Sequence, residues 1–386
     1  MNPTTPTRSY YPALDGLRGM AILLVIACHN LNFIPGFEFG WIGVDLFFVL
    51  SGFLITDILL STKASKNFLQ NFYIRRILRI FPLYYGVLLV FFILAPAFRY
   101  LDVQYNYYHS HQVMSWFHLQ NWLYIFNRKP NDFLLMNHFW SLSLEEQFYL
   151  VWPLVIFAVK GTRQLSQIVY GILGACIIGR FASWLYFGDG YTNFYFQYMT
   201  RVDGLCVGSL VAIWRFSSNE QAGRKVIRLA LLLLGIHLFV FILAKTAIAN
   251  MPHFSFFGYS SIAAILGVII FFAVKKRNMF SKALLENPVL RYFGRISYGL
   301  YVYHWPILIL AKLYFLDKLL NNGFSYTSGI MTVSLGAFAV ALLTATASYY
   351  LFEKKILLLK DIMTEEGFFE KVRKKLLLLI YPASAE

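Results

Sequence analysis

Arg18 and His29 are the first residues along this sequence whose types and spacing suggest chemistry. They stand eleven positions apart in an apolar run. On an α-helix that is almost three full turns, so both side chains share one face, about 16 Å apart. An imidazole titrates near neutrality and suits taking a proton from a hydroxyl. A guanidinium suits holding an anion such as a phosphate through paired hydrogen bonds. Similar groups recur downstream: Asp45 and Ser51, then Arg75, Arg76 and Arg79, then Ser141, Ser143, Glu145, Glu146 and Tyr149, then Arg201 and Asp203, and finally His304. Together they offer a base, carboxylates that can orient it, donors for a developing oxyanion, and cations for a phosphorylated ligand. We read His29 as the base and Glu145 as its orienting carboxylate, with Asp45 the second choice. Ser51, Tyr149, Arg201 and His304 are the candidate substrate or oxyanion contacts. Arg18, Arg75, Arg76 and Arg79 form the candidate anion-binding group. Glu145 and Glu146 are adjacent and point roughly 100° apart on a helix, so only one of them is expected to face the site.

Each of these residues has a plainer reading. Arg75 or Arg291 near a helix end can be a snorkelling anchor. His29 can be an interhelical hydrogen-bonding partner. Asp15 lies three residues before Arg18 and can simply neutralise it, as Asp203 can Arg201.

The elements that must position these groups are membrane helices. Apolar residues make up 58% of the 386 and charged residues 14%, whereas soluble domains carry about 45–50% and about 25%. Crossing a bilayer takes about 20 mostly apolar residues. Ten segments qualify, at about 12–33, 41–60, 80–97, 139–159, 166–187, 199–214, 226–244, 256–274, 292–315 and 327–352. The block at about 112–126 is short and amphipathic and belongs at an interface or in a re-entrant turn. We therefore expect an all-α polytopic membrane protein of about ten spans. Residues 1–352 would form the transmembrane domain and 353–386 a basic cytoplasmic tail.

The net charge of +15 fits this reading better than nucleic-acid binding. Basic residues concentrate in alternate loops (Lys63, Lys66, Arg75, Arg76 and Arg79; Arg224, Lys225 and Arg228; Lys275, Lys276, Arg277 and Lys282), whereas the 34–40 and 188–198 loops have none. That pattern places both termini in the cytoplasm. Arg18 and the 75–79 arginines then lie in the inner half. His29, Asp45, Glu145, Arg201 and His304 lie mid-membrane or further out, so a basic vestibule is expected beneath an outer reacting centre. The cysteines, Cys28, Cys176 and Cys206, share no metal-like spacing, and neither a disulfide nor a metal site is expected.

Five runs, in order, resemble the acyltransferase-3 family of integral-membrane O-acyltransferases. They are Tyr11-Pro12-Ala13-Leu14-Asp15-Gly16-Leu17-Arg18-Gly19 with His29 beyond it; Gly43 to Phe53; Arg75 to Pro82; Trp140 to Tyr149; and Ser297 to Pro306. The resemblance spans most of residues 10–352. It implies an acyl-CoA donor, acetyl-CoA foremost, and a hydroxyl acceptor on a glycan or glycolipid of the bacterial cell envelope. It further implies a location in the inner (plasma) membrane, an Arg–His pair in the first helix needed for activity, and a basic motif involving Arg76 and Arg79. Many members carry a C-terminal esterase-like domain, which is not expected within these residues. Both direct transfer and an acyl-histidine intermediate remain open. The rival class is a transporter using the buried charges as a proton relay, which would show two repeated halves with interrupted helices. One-off motifs and a cluster of arginines favour the enzyme.

Overall fold

The computed structural model describes residues 10–127, 134–187, 201–217, 228, 231–236, 239, 258–275 and 283–364. Those residues fold into helices, with no strand among them. Nine of the ten expected spans have a helix among the described residues. The 226–244 span falls largely outside them, as do the 188–198 loop, the basic residues Arg224, Lys225, Lys276, Arg277 and Lys282, and the end of the tail.

Helices α1 (Pro12–Leu31) and α2 (Ile42–Thr62) form an antiparallel pair, and α3 (Phe68–Leu94) follows. Short helices α4 (Asp102–Ser110), α5 (Gln112–Trp116) and α6 (Gln120–Asn127) come next. Then come α7 (Phe139–Ala158), α8 (Thr162–Phe187), α9 (Asp203–Phe216) and α10 (Tyr259–Lys275), followed by α11 (Pro288–Ala311), α12 (Tyr326–Ser348) and α13 (Lys354–Met363). Pro at the first position opens α1 and α11, where its missing N–H costs nothing. The Asn287 side chain caps α11 by accepting from the Val289 N–H at 2.8 Å.

Helix α2 is apolar on all sides and mostly buried, which makes it the central helix. Large apolar side chains on the outer helices face outward instead, Ile93 on α3 and Leu343 on α12 each 70% exposed. Such a surface suits hydrocarbon rather than water. Among the described residues six helical stretches are long and apolar enough to cross a membrane, and α10 is a shorter apolar helix.

Two close-packed seams fix the bundle. On the first, α1 lies parallel to α11, and a Cβ on Gly294 would come within 1.8 Å of the Asp15 carbonyl oxygen, while one on Gly19 would come within 1.9 Å of the Leu290 carbonyl oxygen. On the second, a Cβ on Gly52 of α2 would lie 1.9 Å from the Leu205 carbonyl oxygen of α9, and one on Gly208 2.0 Å from that of Val49. Only glycine lets backbones approach this closely.

Three boundaries differ from expectation. The third span starts at Phe68, so Arg75, Arg76 and Arg79 lie within its helix rather than before it. The 112–126 block is the α5–α6 pair; α6, with eight residues, is about 12 Å long and does not cross. The tail begins as α13, which continues α12 through a π turn at Tyr349–Glu353 and packs against α3.

Candidate active site

A chamber of about 730 Å³, counted out to its mouth, lies between α1, α2, α3, α7 and α11. Its walls include Arg18, Ser51, Arg76, Arg79, Glu145, Glu146, Tyr149, Tyr298 and Tyr301. A second cavity of about 540 Å³ adjoins it, lined by Asp15, Arg18, Arg79, Arg295, Tyr298, Tyr349 and Glu353. Arg18, Arg79 and Tyr298 border both, so the second cavity is a vestibule to the first. The π turn ending at Glu353 carries that carboxylate into the vestibule, where the Ser348 hydroxyl donates to it at 3.1 Å. Asp15 lies 3.9 Å from Arg18 and accepts from the Tyr10 hydroxyl at 2.6 Å, which, outside the span, raises the Tyr10 pKa.

Inside the chamber Glu145 is held on both oxygens. Ser51 Oγ donates to Oε1 at 3.1 Å and the Tyr149 hydroxyl to Oε2 at 2.9 Å. The Arg76 guanidinium lies over the Tyr149 ring, 4.9 Å from its centroid. Ser51 and Tyr149, expected to donate to an oxyanion, thus donate to a carboxylate. Glu145 and Glu146 both line the chamber, although only one was expected to. The chamber wraps far enough around α7 to span their difference in direction, with Ser51 of α2 bonded to Glu145 and Arg76 of α3 within electrostatic reach of both.

The depth assignment also changes. Glu145 and Glu146 share the arginines' chamber rather than lying above it. The reason is the entry to α7, which starts below the bundle's end. Leu134, Leu135, Met136 and His138 are all buried. Side chains satisfy that loop's backbone: Gln104 accepts from the Leu135 N–H at 3.0 Å, the Tyr108 hydroxyl from the Met136 N–H at 2.8 Å, and Trp305 Nε1 donates to the Leu134 carbonyl at 2.8 Å.

His29 lies beyond the chamber. Its Nδ1 is 2.8 Å from His304 Nε2, and its ring meets Trp305 edge-on at 4.6 Å between centroids. Tyr301 connects the two regions. Its side chain lines the chamber and its hydroxyl donates to the His138 carbonyl at 2.9 Å, while its own carbonyl lies 2.7 Å from His304 Nδ1. The expected His29–Glu145 hydrogen bond is absent, and so is one to Asp45.

Asp45 and Arg201 form a buried ion pair at 2.7 Å, with Arg201 set 4.0 Å over the Tyr259 ring. Asp203 does not neutralise Arg201; it pairs with Arg180 at 2.8 Å and accepts from Ser260 at 2.6 Å. Arg75 stays out of the chamber and donates to Thr364 of the α13 end at 3.1 Å. Arg291 donates to the Tyr10 hydroxyl at 3.1 Å. Sequence reasoning missed Arg180, His138 and the Asp57–Arg215 pair. Arg180 had a signal, being a charge within an apolar run.

Residues 11–352 match the family described as acyltransferase domain. The chain is 33% identical to the peptidoglycan O-acetyltransferase OatA of Listeria monocytogenes over 323 residues, covering 80% of this chain and 51% of that protein. It is 32% identical to the O-acetyltransferase OatA of Staphylococcus aureus over 327 residues, covering 80% and 52%. The chain therefore spans about half the length of the curated relatives it matches. No solved structure matches it.

Proposed function

Because this chain belongs to the acyltransferase-domain family, matched across residues 11–352, we propose that it moves an acyl group, acetyl foremost, from a cytoplasmic acyl-CoA to a hydroxyl of a cell-wall glycan. The names of the relatives, O-acetyltransferases and in one case a peptidoglycan O-acetyltransferase, favour that acceptor. The observation that carries the reading is the pair of adjoining arginine-bordered cavities, of which the chamber reaches Tyr301, one helical turn of α11 from the His29 pair.

The donor's phosphates suit Arg79, Arg295 and Arg18 at the vestibule, and its thioester arm suits the chamber beyond them. His29 takes the acceptor hydroxyl's proton, the hydroxyl oxygen bonds to the thioester carbon, and the C–S bond breaks. The proton then passes from the imidazolium to the departing thiolate. In this reading the Arg18 end is cytoplasmic, supported by Lys63, Lys66 and Arg75 at that end of the helices. A cysteine at Ser65 should then react with an impermeant label only from the cytoplasmic side; labelling from outside would reverse the orientation.

Purified protein in detergent, given labelled acetyl-CoA and muropeptide or oligosaccharide acceptors, should release CoA and yield an O-acetylated product by mass spectrometry. Donor bound without CoA release or product under any acceptor would overturn the assignment. His29→Ala should lower transfer by about a hundredfold or more, and wild-type transfer by that variant would remove His29 from the chemistry.

A further inference from the structure

We propose that His304 is a positioning residue that fixes the tautomer of His29 and makes Nε2 its basic nitrogen. The inference rests on the reading of His29 as the base.

A carbonyl oxygen can only accept. His304 Nδ1 lies 2.7 Å from the Tyr301 carbonyl and 3.2 Å from that of Leu300, so Nδ1 carries a hydrogen. Two imidazoles packed inside a bundle are held neutral by the cost of burying charge. His304 Nε2 is then a lone pair, and its 2.8 Å partner, His29 Nδ1, is the donor. The second nitrogen of His29, Nε2, must therefore carry the free lone pair. Among the described residues nothing hydrogen-bonds it.

Ring geometry supports a directed bond rather than a face-to-face contact. The planes differ by 4° and the centroids are 5.1 Å apart. That separation exceeds the nitrogen–nitrogen distance by about two ring radii, which puts both nitrogens on the line between the centroids and the rings edge to edge in one plane. This is the direction of an imidazole lone pair. The His304 ring is only 2% exposed and is flanked by Tyr301 and His138, whose centroids lie 5.5 and 5.2 Å away. The carboxylates that would otherwise orient a base are engaged elsewhere, Glu145 by Ser51 and Tyr149 and Asp45 by Arg201. His304 thus does the orienting work of the third member of a catalytic triad without carrying a charge. It passes the constraint of the α11 backbone to a side chain of α1.

The test compares three replacements in the detergent assay. His304→Gln places a carbonyl oxygen near the position of Nε2, His304→Asn is polar but too short to reach it, and His304→Leu fills space without an acceptor. We expect Gln to retain turnover within about tenfold of wild type and Asn and Leu to fall about a hundredfold, all with unchanged KM for acetyl-CoA. If Leu fails to fold, the comparison of Gln with Asn still decides. Wild-type turnover in Asn or Leu overturns the inference, as does equal loss in folded Gln and Asn. His29→Ala, run alongside, separates the two readings. If it is inactive while His304→Asn is fully active, only the inference fails; if it is fully active, the base itself is misassigned.

Discussion

Glu145 and Glu146 are neighbours on α7 and line one chamber, but only Glu145 has its two oxygens tied by hydroxyl donors, Ser51 at 3.1 Å and Tyr149 at 2.9 Å. Glu145 is the built carboxyl group, and Glu146 lines the cavity without such donors. Glu145→Gln presents an amide N–H₂ where a hydroxyl now donates, so that corner must rearrange, and turnover is expected to fall at least tenfold, about 1.4 kcal/mol. Glu146→Gln keeps the side chain's shape at a position where no hydroxyl donates to it, so donor affinity and turnover should both stay near wild type. Calorimetry with acetyl-CoA and the transfer assay check both; a Glu146→Gln protein that loses turnover while Glu145→Gln keeps it would reverse the roles.

Three arginines of α3 separate into two groups. Arg76 and Arg79 line the chamber, whereas Arg75 reaches Thr364. Arg76→Ala and Arg79→Ala should each weaken acyl-CoA binding by about 1.5–3 kcal/mol for a lost charge-assisted contact. Arg75→Ala should leave donor binding unchanged. Equal losses in all three would mean that the donor responds to net charge rather than to the chamber.

Arg201 and Asp45 are nearly fully buried, so removing one partner strands the other. Asp45→Leu alone should destabilise the protein by about 3–5 kcal/mol. The double variant Asp45→Leu with Arg201→Met should recover a large part of that loss, read as the thermal midpoint in detergent. If the double variant is worse than the single, the pair's other contacts outweigh the cost of a stranded charge.

Much of this was legible in the chain because a bilayer enforces simple rules. Long apolar runs, basic loops and costly charges in spans located the helices and most of the charged residues that line the candidate site. The partners of those charges were not legible. Glu145 has no sequence feature announcing Ser51 and Tyr149, and Asp45 lies 156 residues from Arg201. Such pairings depend on how far each helix is sunk into the bundle. The buried loop before α7 and the early start of α3 shift Glu145 and the arginines to one level. The His29–His304 bond depends likewise on the register between α1 and α11.

That register gives the last prediction. Gly19 faces Gly294, and ten residues further along both helices His29 meets His304; each pair is 275 positions apart. The two parallel helices therefore stay in step over about 15 Å. Gly294→Ala would bring a Cβ within 1.8 Å of the Asp15 carbonyl oxygen, a backbone atom that cannot rotate away, so α11 must move off α1. Overpacking of this kind costs about 1–3 kcal/mol. It should also stretch the His29–His304 bond, so turnover should drop beyond what reduced stability explains at a temperature where the variant is folded. Gly86→Ala on α3 is the control: nothing lies within 4 Å of a Cβ there, and alanine favours a helix over glycine by roughly 0.5–1 kcal/mol. Thermal midpoints and transfer rates of the two variants, measured side by side, check the argument. If Gly294→Ala behaves like Gly86→Ala in both, the α1–α11 seam does not set the position of the histidine pair.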